Sequence, residues 1–176
     1  MYRLDKQYDI KKIKSEYAEL VEKVGWTPGL PDHFDAITLQ TDGTEDYHLH
    51  YDIDKFYIRH WDDNDVEEWT KQNESFKQLL IPPEWEMSKF IIENNLTRTR
   101  ILRIAPLFVY NTHKDWTDRC QLGIITNEYC YYIEESVLYN IPDDGYGYVT
   151  ETTKMHSAAN ASKEHRVNLV GCINVA

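Results

Sequence analysis

The first helix of this chain is visible in the spacing of its apolar residues. Between residues 10 and 24, apolar side chains recur every three or four positions. These positions are Ile10, Ile13, Tyr17, Leu20, Val21 and Val24. The spacing predicts an amphipathic helix, and Gly25 directly after it is a residue at which helices commonly end.

The segment after this helix mixes loop and strand signals. TPGLPDHFDAI contains two prolines and a glycine and predicts a loop. Short apolar pieces within residues 36–60 are broken by turn signals such as Asp42-Gly43, and they predict strands.

Two further helices are expected before the middle of the chain. Asp62 or Asp65 can cap a helix that runs to about Leu80, with apolar residues on its inner side. Pro82-Pro83 ends it. The second of these prolines suits the first turn of another helix, over about 84–94.

Short β-type segments dominate the chain after about residue 96. They are rich in β-branched and aromatic residues and are separated by turn signals such as Asp143-Asp144-Gly145. The segments are RTRILRIA, LFVYNTH, RCQLGIIT, EYCYYI, YGYVTETT and HRVNLVGCI. Regularly spaced short strands predict an antiparallel sandwich or barrel. We therefore expect one mainly β domain over residues 1–176, with a helical and mixed part over 1–96 and a β core over 97–176.

The composition narrows the expected partners and compartment. The formal net charge of −11 argues against nucleic acid or an anionic membrane as a partner, because both attract basic surfaces. The N-terminus lacks the apolar region of a signal peptide, and no apolar run reaches the roughly 18 residues of a membrane helix. Cys120, Cys130 and Cys172 are too few for a disulfide framework and are expected to be buried thiols. A cytoplasmic protein is therefore expected.

The string Asn111-Thr112-His113-Lys114-Asp115 carries the chemistry. In an extended segment, residues two positions apart point to the same side, so His113 and Asp115 can offer a nitrogen and an oxygen to one ion. His156 follows 41 residues after His113. Two histidines and one carboxylate on one side of a metal are typical of non-haem Fe(II) oxygenases, because they leave positions open for O₂ and a bidentate co-substrate.

Arg166, ten residues after His156, extends this pattern. The co-substrate 2-oxoglutarate chelates iron at one end and has a free carboxylate at the other. A planar guanidinium binds such a carboxylate through two parallel hydrogen bonds. Arg166 meets this need if the strand alternation directs it inward, and the neighbouring His165 then points outward and is not counted as a ligand.

Two stretches resemble the aspartyl/asparaginyl β-hydroxylase-like branch of the 2-oxoglutarate oxygenases, in particular its small microbial and phage-like members. They are THKDWTDRCQLGI and KMHSAANASKEHRVNLVGCI, within about residues 100–174. That branch typically shows H-x-D, an Arg a few residues later, then H-x-x-x-N and an Arg about ten residues after that His. The matching residues are His113, Asp115, Arg119, His156, Asn160 and Arg166.

The resemblance implies a fold, cofactors and site residues. The fold is a double-stranded β-helix, the cupin-like jelly roll, and the cofactors are Fe(II), O₂ and 2-oxoglutarate, with succinate and CO₂ as co-products. Arg119 becomes a candidate partner for the iron-side carboxylate of 2-oxoglutarate, and Gln121 on the same strand face is a second candidate. The C–H that is hydroxylated belongs to a free amino acid, a peptide side chain or a small metabolite.

Other constellations and functions are open to the same sequence. His48, His50 and Asp52 form a second possible metal cluster, although an exposed edge strand or substrate-side loop is the simpler interpretation. Trp116, directly after the metal motif, is either a core ring or a wall of the substrate pocket. The rival functions are a non-catalytic cupin-like binding module and a zinc-dependent isomerase or hydrolase. Neither rival requires an arginine at position 166.

Overall fold

The computed structural model describes residues 1–28, 34–43 and 74–173. The helices in these ranges are α1 (Ile10–Val24) and α2 (Glu86–Glu93). The strands are β1 (Tyr2–Gln7), β2 (Thr27–Pro28), β3 (Phe34–Thr38), β4 (Gln40–Thr41), β5 (Gln78–Leu79), β6 (Leu96–Ile104), β7 (Phe108–Val109), β8 (Arg119–Ile125), β9 (Cys130–Glu134), β10 (Val137–Tyr139), β11 (Tyr146–Thr150), β12 (His156–Asn160) and β13 (Arg166–Ile173). Neither helix has the length and apolar character needed to cross a membrane.

Two antiparallel sheets form the body of the molecule. The larger has seven strands in the order β1-β11-β8-β13-β6-β3-β2, and the smaller has four in the order β10-β9-β12-β7. Tyr148 of the larger sheet packs with Tyr132 of the smaller one, so the two inner faces meet. Two packed antiparallel sheets with these crossovers form a double-stranded β-helix, or jelly roll, as the sequence predicted. The short β4–β5 pair forms a separate ladder.

The two predicted helices that the structure describes have clear local causes. Asp9 caps α1 by accepting hydrogen bonds from the backbone of Lys11 and Lys12, and Gly25 ends it with a φ of 71°. This confirms the helix predicted from apolar spacing. The helix expected over about 84–94 is confirmed as α2, whose first backbone N–H groups donate to the carboxylate of Glu16 in α1.

The apolar core lies between the helices and one face of the large sheet. It joins α1 and α2 to alternate residues of β6, β8 and β13, such as Ile101, Leu122 and Leu169, all of which are fully buried. Because side chains alternate across a strand, the residues between them point to the other face, toward the small sheet. On β8 and β13 the polar inner residues include Arg119, Gln121, Arg166 and Asn168.

Two expectations about the N-terminal part need correction. The residues at the end of the helix expected up to Leu80 instead form β5, which pairs with β4, and the Leu80 N–H donates to the Leu39 carbonyl at 2.9 Å. Tertiary pairing has overridden the local pattern here. The strand β1 was not expected, because most of its residues are exposed and it is held through its pairing with β11. Glu74 and Ser75 are helical, and the part of this helix expected before position 74 lies outside the described residues.

Candidate metal centre

His113, Asp115 and His156 converge on one point. One possible ligand atom from each lies within 4.8 Å of the other two. Nε2 of His113 is 3.8 Å from Oδ1 of Asp115, and Nε2 of His156 is 3.9 Å from Oδ2. Two ligand atoms that are each about 2.0–2.2 Å from one ion lie at most about 4.4 Å apart, so each of these two His–Asp distances is short enough for a shared ion. Among the described residues, these three form the group of His, Cys, Asp and Glu side chains that lie close enough together to hold a metal ion.

The backbone explains why residues far apart in sequence meet. The N–H and C=O groups of His113 exchange hydrogen bonds with those of His156, each at 2.9 Å. The Asp115 N–H donates to the Thr152 carbonyl at 2.8 Å. The H-x-D segment is therefore held extended along the residues that lead into β12. His113 and Asp115 therefore point to the same side, as their two-residue spacing predicted, and they do so in a segment that is not a regular strand.

Both imidazoles have their other ring nitrogen turned toward a backbone carbonyl. Nδ1 of His113 is 2.7 Å from the Asn111 carbonyl, and Nδ1 of His156 is 3.0 Å from the Lys154 carbonyl. A hydrogen bond to a carbonyl oxygen places the proton on Nδ1 and leaves the Nε2 lone pair for a metal. Burial lowers the pKa of His156, although the charge of Asp115 opposes this, so the neutral imidazole that binds metals is favoured.

Arg119 fixes the carboxylate of this group. Its Nε donates to Oδ2 of Asp115 at 2.9 Å, and its Nη1 contacts Sγ of Cys172. Burial raises the pKa of the Asp115 carboxyl, but the charge and hydrogen bond of Arg119 and the two nearby imidazoles outweigh burial. The pKa therefore lies well below its ordinary value, and Asp115 is a carboxylate at neutral pH.

Arg166 lies on the inner face of β13 and is only 3% exposed. Its Nη1 donates to the Tyr131 carbonyl at 3.0 Å. Within the described parts of the chain it forms no ion pair with a carboxylate. Burial lowers the pKa of Arg166 to about 10, which still leaves it charged at neutral pH. Its neighbour His165 is exposed, as expected.

Polar side chains line the inner face of the large sheet between Arg166 and Arg119. With the Asn168 amide oriented to satisfy its neighbours, its oxygen accepts from Nη2 of Arg166 at 3.0 Å. In the other orientation of that amide, Nδ2 of Asn168 donates to Oε1 of Gln121 at 3.1 Å. Nε2 of Gln121 donates to the Thr150 hydroxyl at 3.1 Å. That hydroxyl in turn donates to the Arg119 carbonyl. Gln121, a predicted co-substrate contact, is therefore part of a polar floor between Arg166 and Arg119.

Asn160 has a structural role that its place in the motif did not reveal. Its side-chain nitrogen lies within hydrogen-bond distance of the carbonyls of Ile104, Ala105 and Glu164, and its oxygen accepts two hydrogen bonds from Ser162. The residue is completely buried. It holds the turn between β12 and β13, and so it sets where Arg166 enters the barrel.

Tyr132 was not singled out by the sequence analysis. It is 1% exposed on the inner face of β9, and its ring centroid is 5.9 Å from that of His156. Burial and the charge of Glu134 raise its pKa far above the ordinary value, so its hydroxyl stays protonated. The alternation of EYCYYIE marks positions 130, 132 and 134 as one face, but that pattern alone does not distinguish a site wall from a core ring.

Three other expectations from the sequence concern Trp116, the second possible metal cluster and the cysteines. Trp116 is partly buried in the loop between the metal motif and β8. His48, His50 and Asp52 lie outside the described residues. The three cysteines are free thiols and all are buried, as predicted.

Comparisons with known proteins support the fold. No family model matches the sequence, and no curated protein matches it. An oxidoreductase of the 2OG-Fe(II) oxygenase family from Burkholderia pseudomallei has a similar structure, with a TM-score of 0.51 and 11% identity over 90% of this chain and 76% of that chain. At this identity the likeness concerns the fold alone.

Two further solved structures are more distant. A prolyl-4-hydroxylase from Pseudomonas putida has a TM-score of 0.49 and 8% identity over 97% of this chain and 90% of its own. A cupin domain from Bordetella pertussis Tohama I has a TM-score of 0.38 and 15% identity over 44% of this chain and 81% of its own. Neither score is high enough to carry an argument about this chain.

Proposed function

We propose that this protein is an Fe(II)- and 2-oxoglutarate-dependent dioxygenase that hydroxylates a C–H bond of an amino acid, a peptide side chain or a small metabolite. One observation carries the proposal. The His113, Asp115 and His156 cluster shares the interior of a jelly roll with a buried arginine, Arg166, that has no carboxylate partner among the described residues. The co-products would be succinate and CO₂.

The donor set fits Fe(II). His113, Asp115 and His156 would hold the ion on one side and leave the remaining coordination positions for 2-oxoglutarate and O₂. When bound, this group supplies the oxidising chemistry that a protein side chain lacks. The protein's own contribution is to present two imidazoles and one ionised carboxylate, each already oriented by a hydrogen bond from or to its neighbours.

Arg166 fits the far end of the co-substrate. A buried cation without a counter-charge is costly, so a fold that retains one implies an anion that arrives with a ligand. A carboxylate of 2-oxoglutarate supplies that anion, and the planar guanidinium can bind it through two hydrogen bonds. Asn168, Gln121 and Thr150 line the inner face between this position and Arg119, which lies beside the metal cluster. Arg119 and Gln121 are proposed to contact the iron-side carboxylate.

The rival functions account for less of the site. A binding module or a zinc-dependent isomerase or hydrolase on the same barrel would use the three metal ligands but has no need for Arg166. The buried, unneutralised guanidinium therefore favours the oxygenase. The substrate would be a small molecule or a peptide, and the protein would act in the cytoplasm.

The proposed function is tested first without any substrate. Anaerobic addition of Fe(II) and 2-oxoglutarate to the purified protein is expected to give the weak visible charge-transfer band of the chelate. Admission of O₂ is then expected to produce succinate slowly, and a correct substrate is expected to accelerate that release. Binding of Zn(II) with no effect of 2-oxoglutarate on the metal site, and no succinate, would contradict the proposal.

A further inference from the structure

The inner face of the large sheet carries a further arginine, Arg100. Arg100 lies on β6, and its Nε and Nη1 atoms are buried and have no hydrogen-bond acceptor among the residues that the structure describes. No carboxylate in the parts of the chain that the structure describes forms an ion pair with it, although the whole chain contains 30 Asp and Glu residues. The residue is partly exposed, so a ligand from solvent can reach it.

Thr38 stands directly beside Arg100. The two residues are opposite each other in the β3–β6 ladder, so their side chains share a face and their Cβ atoms are about 4.5–5.5 Å apart. The Thr38 hydroxyl is also buried and has no hydrogen-bond partner among the described residues. Adjacent buried polar groups of this kind are rare in native proteins, because each one left without a partner destabilises the fold.

The sheet register places this pair on the same inner face of the large sheet as Arg119, which contacts the metal cluster. Thr38, Arg100, Val170, Gln121 and Tyr148 form one row across five strands. The next row contains Cys172, Arg119 and Thr150, and Arg119 holds the metal-ligand candidate Asp115. Two strand spacings and one two-residue step separate Arg100 from Arg119, or roughly 12 Å between their Cα atoms.

The inner arginines differ in what neutralises them. Arg119 is paired with Asp115, and Arg166 is assigned above to the distal carboxylate of 2-oxoglutarate. Arg100 lies four residues along the ladder from the position opposite Arg166, since Val170 faces Arg100 and Ile104 faces Arg166. One 2-oxoglutarate molecule therefore accounts for Arg166 and leaves Arg100 for a different anion.

We propose that Thr38 and Arg100 form a subsite that binds an oxyanion group, carboxylate or phosphate, of the organic substrate. Arg100 would donate charged hydrogen bonds and Thr38 a hydroxyl hydrogen bond, while the substrate extends across the sheet toward the metal cluster. This inference rests on the proposed function and narrows its substrate to an anionic molecule. Neutral analogues of the same substrate would bind much more weakly, because they leave the guanidinium buried without an anion.

The test uses small probes that share a six-carbon chain and differ in their head group. The protein is loaded with Mn(II) and saturated with 2-oxoglutarate, so that Arg166 is occupied. Hexanoate, hexyl phosphate and hexanamide are then titrated, and binding near the metal is measured from the paramagnetic broadening of their NMR signals. We expect at least about tenfold tighter binding of one or both anions than of the amide, as for a hydrogen bond to a charged group. The stronger of the two anions identifies the oxyanion class.

Variants assign this preference to the two residues. Arg100→Gln is expected to abolish the preference for anions and Thr38→Val to reduce it, while Mn(II) and 2-oxoglutarate affinities stay unchanged. Arg103→Gln is the matched control, because Arg103 lies on the same strand, faces the other way and is bound to Asp35 at 2.8 Å. A wild type without a preference, or an Arg100→Gln variant that keeps it, overturns the subsite. Failure of the wild type to bind 2-oxoglutarate overturns the proposed function itself.

Thermal unfolding separates a ligand-binding role from a structural one. In the metal-free protein, Arg100→Met removes an unneutralised charge, so its melting temperature is expected to equal or exceed that of the wild type. Arg103→Met breaks a made ion pair and is expected to lower it. A loss in Arg100→Met as large as that in Arg103→Met would show that Arg100 supports the fold, and would contradict the subsite.

Discussion

Nε of Arg119 donates to Oδ2 of Asp115 at 2.9 Å, and these side chains are only 2% and 9% exposed. The arginine thus orients one oxygen of the carboxylate while the other lies 3.8 Å from Nε2 of His113. Groups that position metal ligands in this way typically contribute 10- to 100-fold to metal affinity. Arg119 therefore links the inner face of the large sheet to the metal cluster.

Replacement of Arg119 by leucine is expected to weaken Mn(II) binding by about 10- to 100-fold, because Asp115 loses the donor that orients it. The measurement is a Mn(II) titration of the folded variant. Arg103→Leu removes a different ion pair, the one with Asp35 on the opposite face of the large sheet, and it should bind Mn(II) as the wild type does. Equal Mn(II) affinity in Arg119→Leu and wild type would show that the contact does not support metal binding.

Direct removal of the ligands has a larger expected effect. His113→Ala and His156→Ala each delete one nitrogen donor, so Mn(II) binding and succinate release should both be lost. His165→Ala is a suitable control, since this exposed histidine lies beside Arg166 but outside the cluster. Succinate release by His113→Ala at the wild-type rate would remove this residue from the site.

The depressed pKa of Asp115 predicts how stability changes with pH. Since its folded-state pKa lies below the unfolded value of about 3.9, the ionised carboxylate stabilises the fold above that pH. The contribution is lost as the pH falls through the folded-state pKa. In metal-free protein, the stability difference between wild type and Asp115→Asn should be largest near neutral pH and should shrink below about pH 4. Urea unfolding at several pH values measures it, and a difference independent of pH would contradict the assignment.

Asn160 is predicted to matter for stability rather than for metal binding. Asn160→Ala leaves several buried groups of the β12–β13 turn without partners, at a cost of about 2–4 kcal/mol in the free energy of unfolding. Asn140→Ala removes an amide that also bonds two carbonyls but is exposed, and it should cost less than about 1 kcal/mol. Urea unfolding of both variants tests this, and similar losses would argue against the role of burial.

Much of the fold follows from local patterns in the sequence. Helix α1 combines an amphipathic face with a capping Asp9 and a terminal Gly25, and the alternating strands of the second half predict two packed sheets. The strands β1 and β5 could not be predicted in this way. Each is defined by a partner distant in sequence, and neither has an alternating apolar face of its own.

The candidate site, like the fold, could be predicted from the sequence only in part. His113, Asp115 and Arg166 belong to short motifs with fixed spacing, and the structure places them in one barrel interior. The contact of Arg119 with Asp115 and the pairing of Thr38 with Arg100 depend on strand register and on a loop conformation. Such contacts form only when the chain is folded, so the spacing of residues in the sequence does not predict them.

Arg166 gives the most direct test of the oxygenase. The measurement is a 2-oxoglutarate titration of the metal-loaded wild type, Arg166→Lys and Arg166→Ala. Loss of a hydrogen-bonded charge pair should weaken 2-oxoglutarate binding by roughly 10- to 150-fold in Arg166→Ala. Arg166→Lys should be nearly as weak, since an ammonium lacks the planar fork, and Mn(II) affinity should be unchanged in both. If Arg166→Ala bound 2-oxoglutarate as tightly as the wild type, the account of this site as a 2-oxoglutarate oxygenase would be wrong.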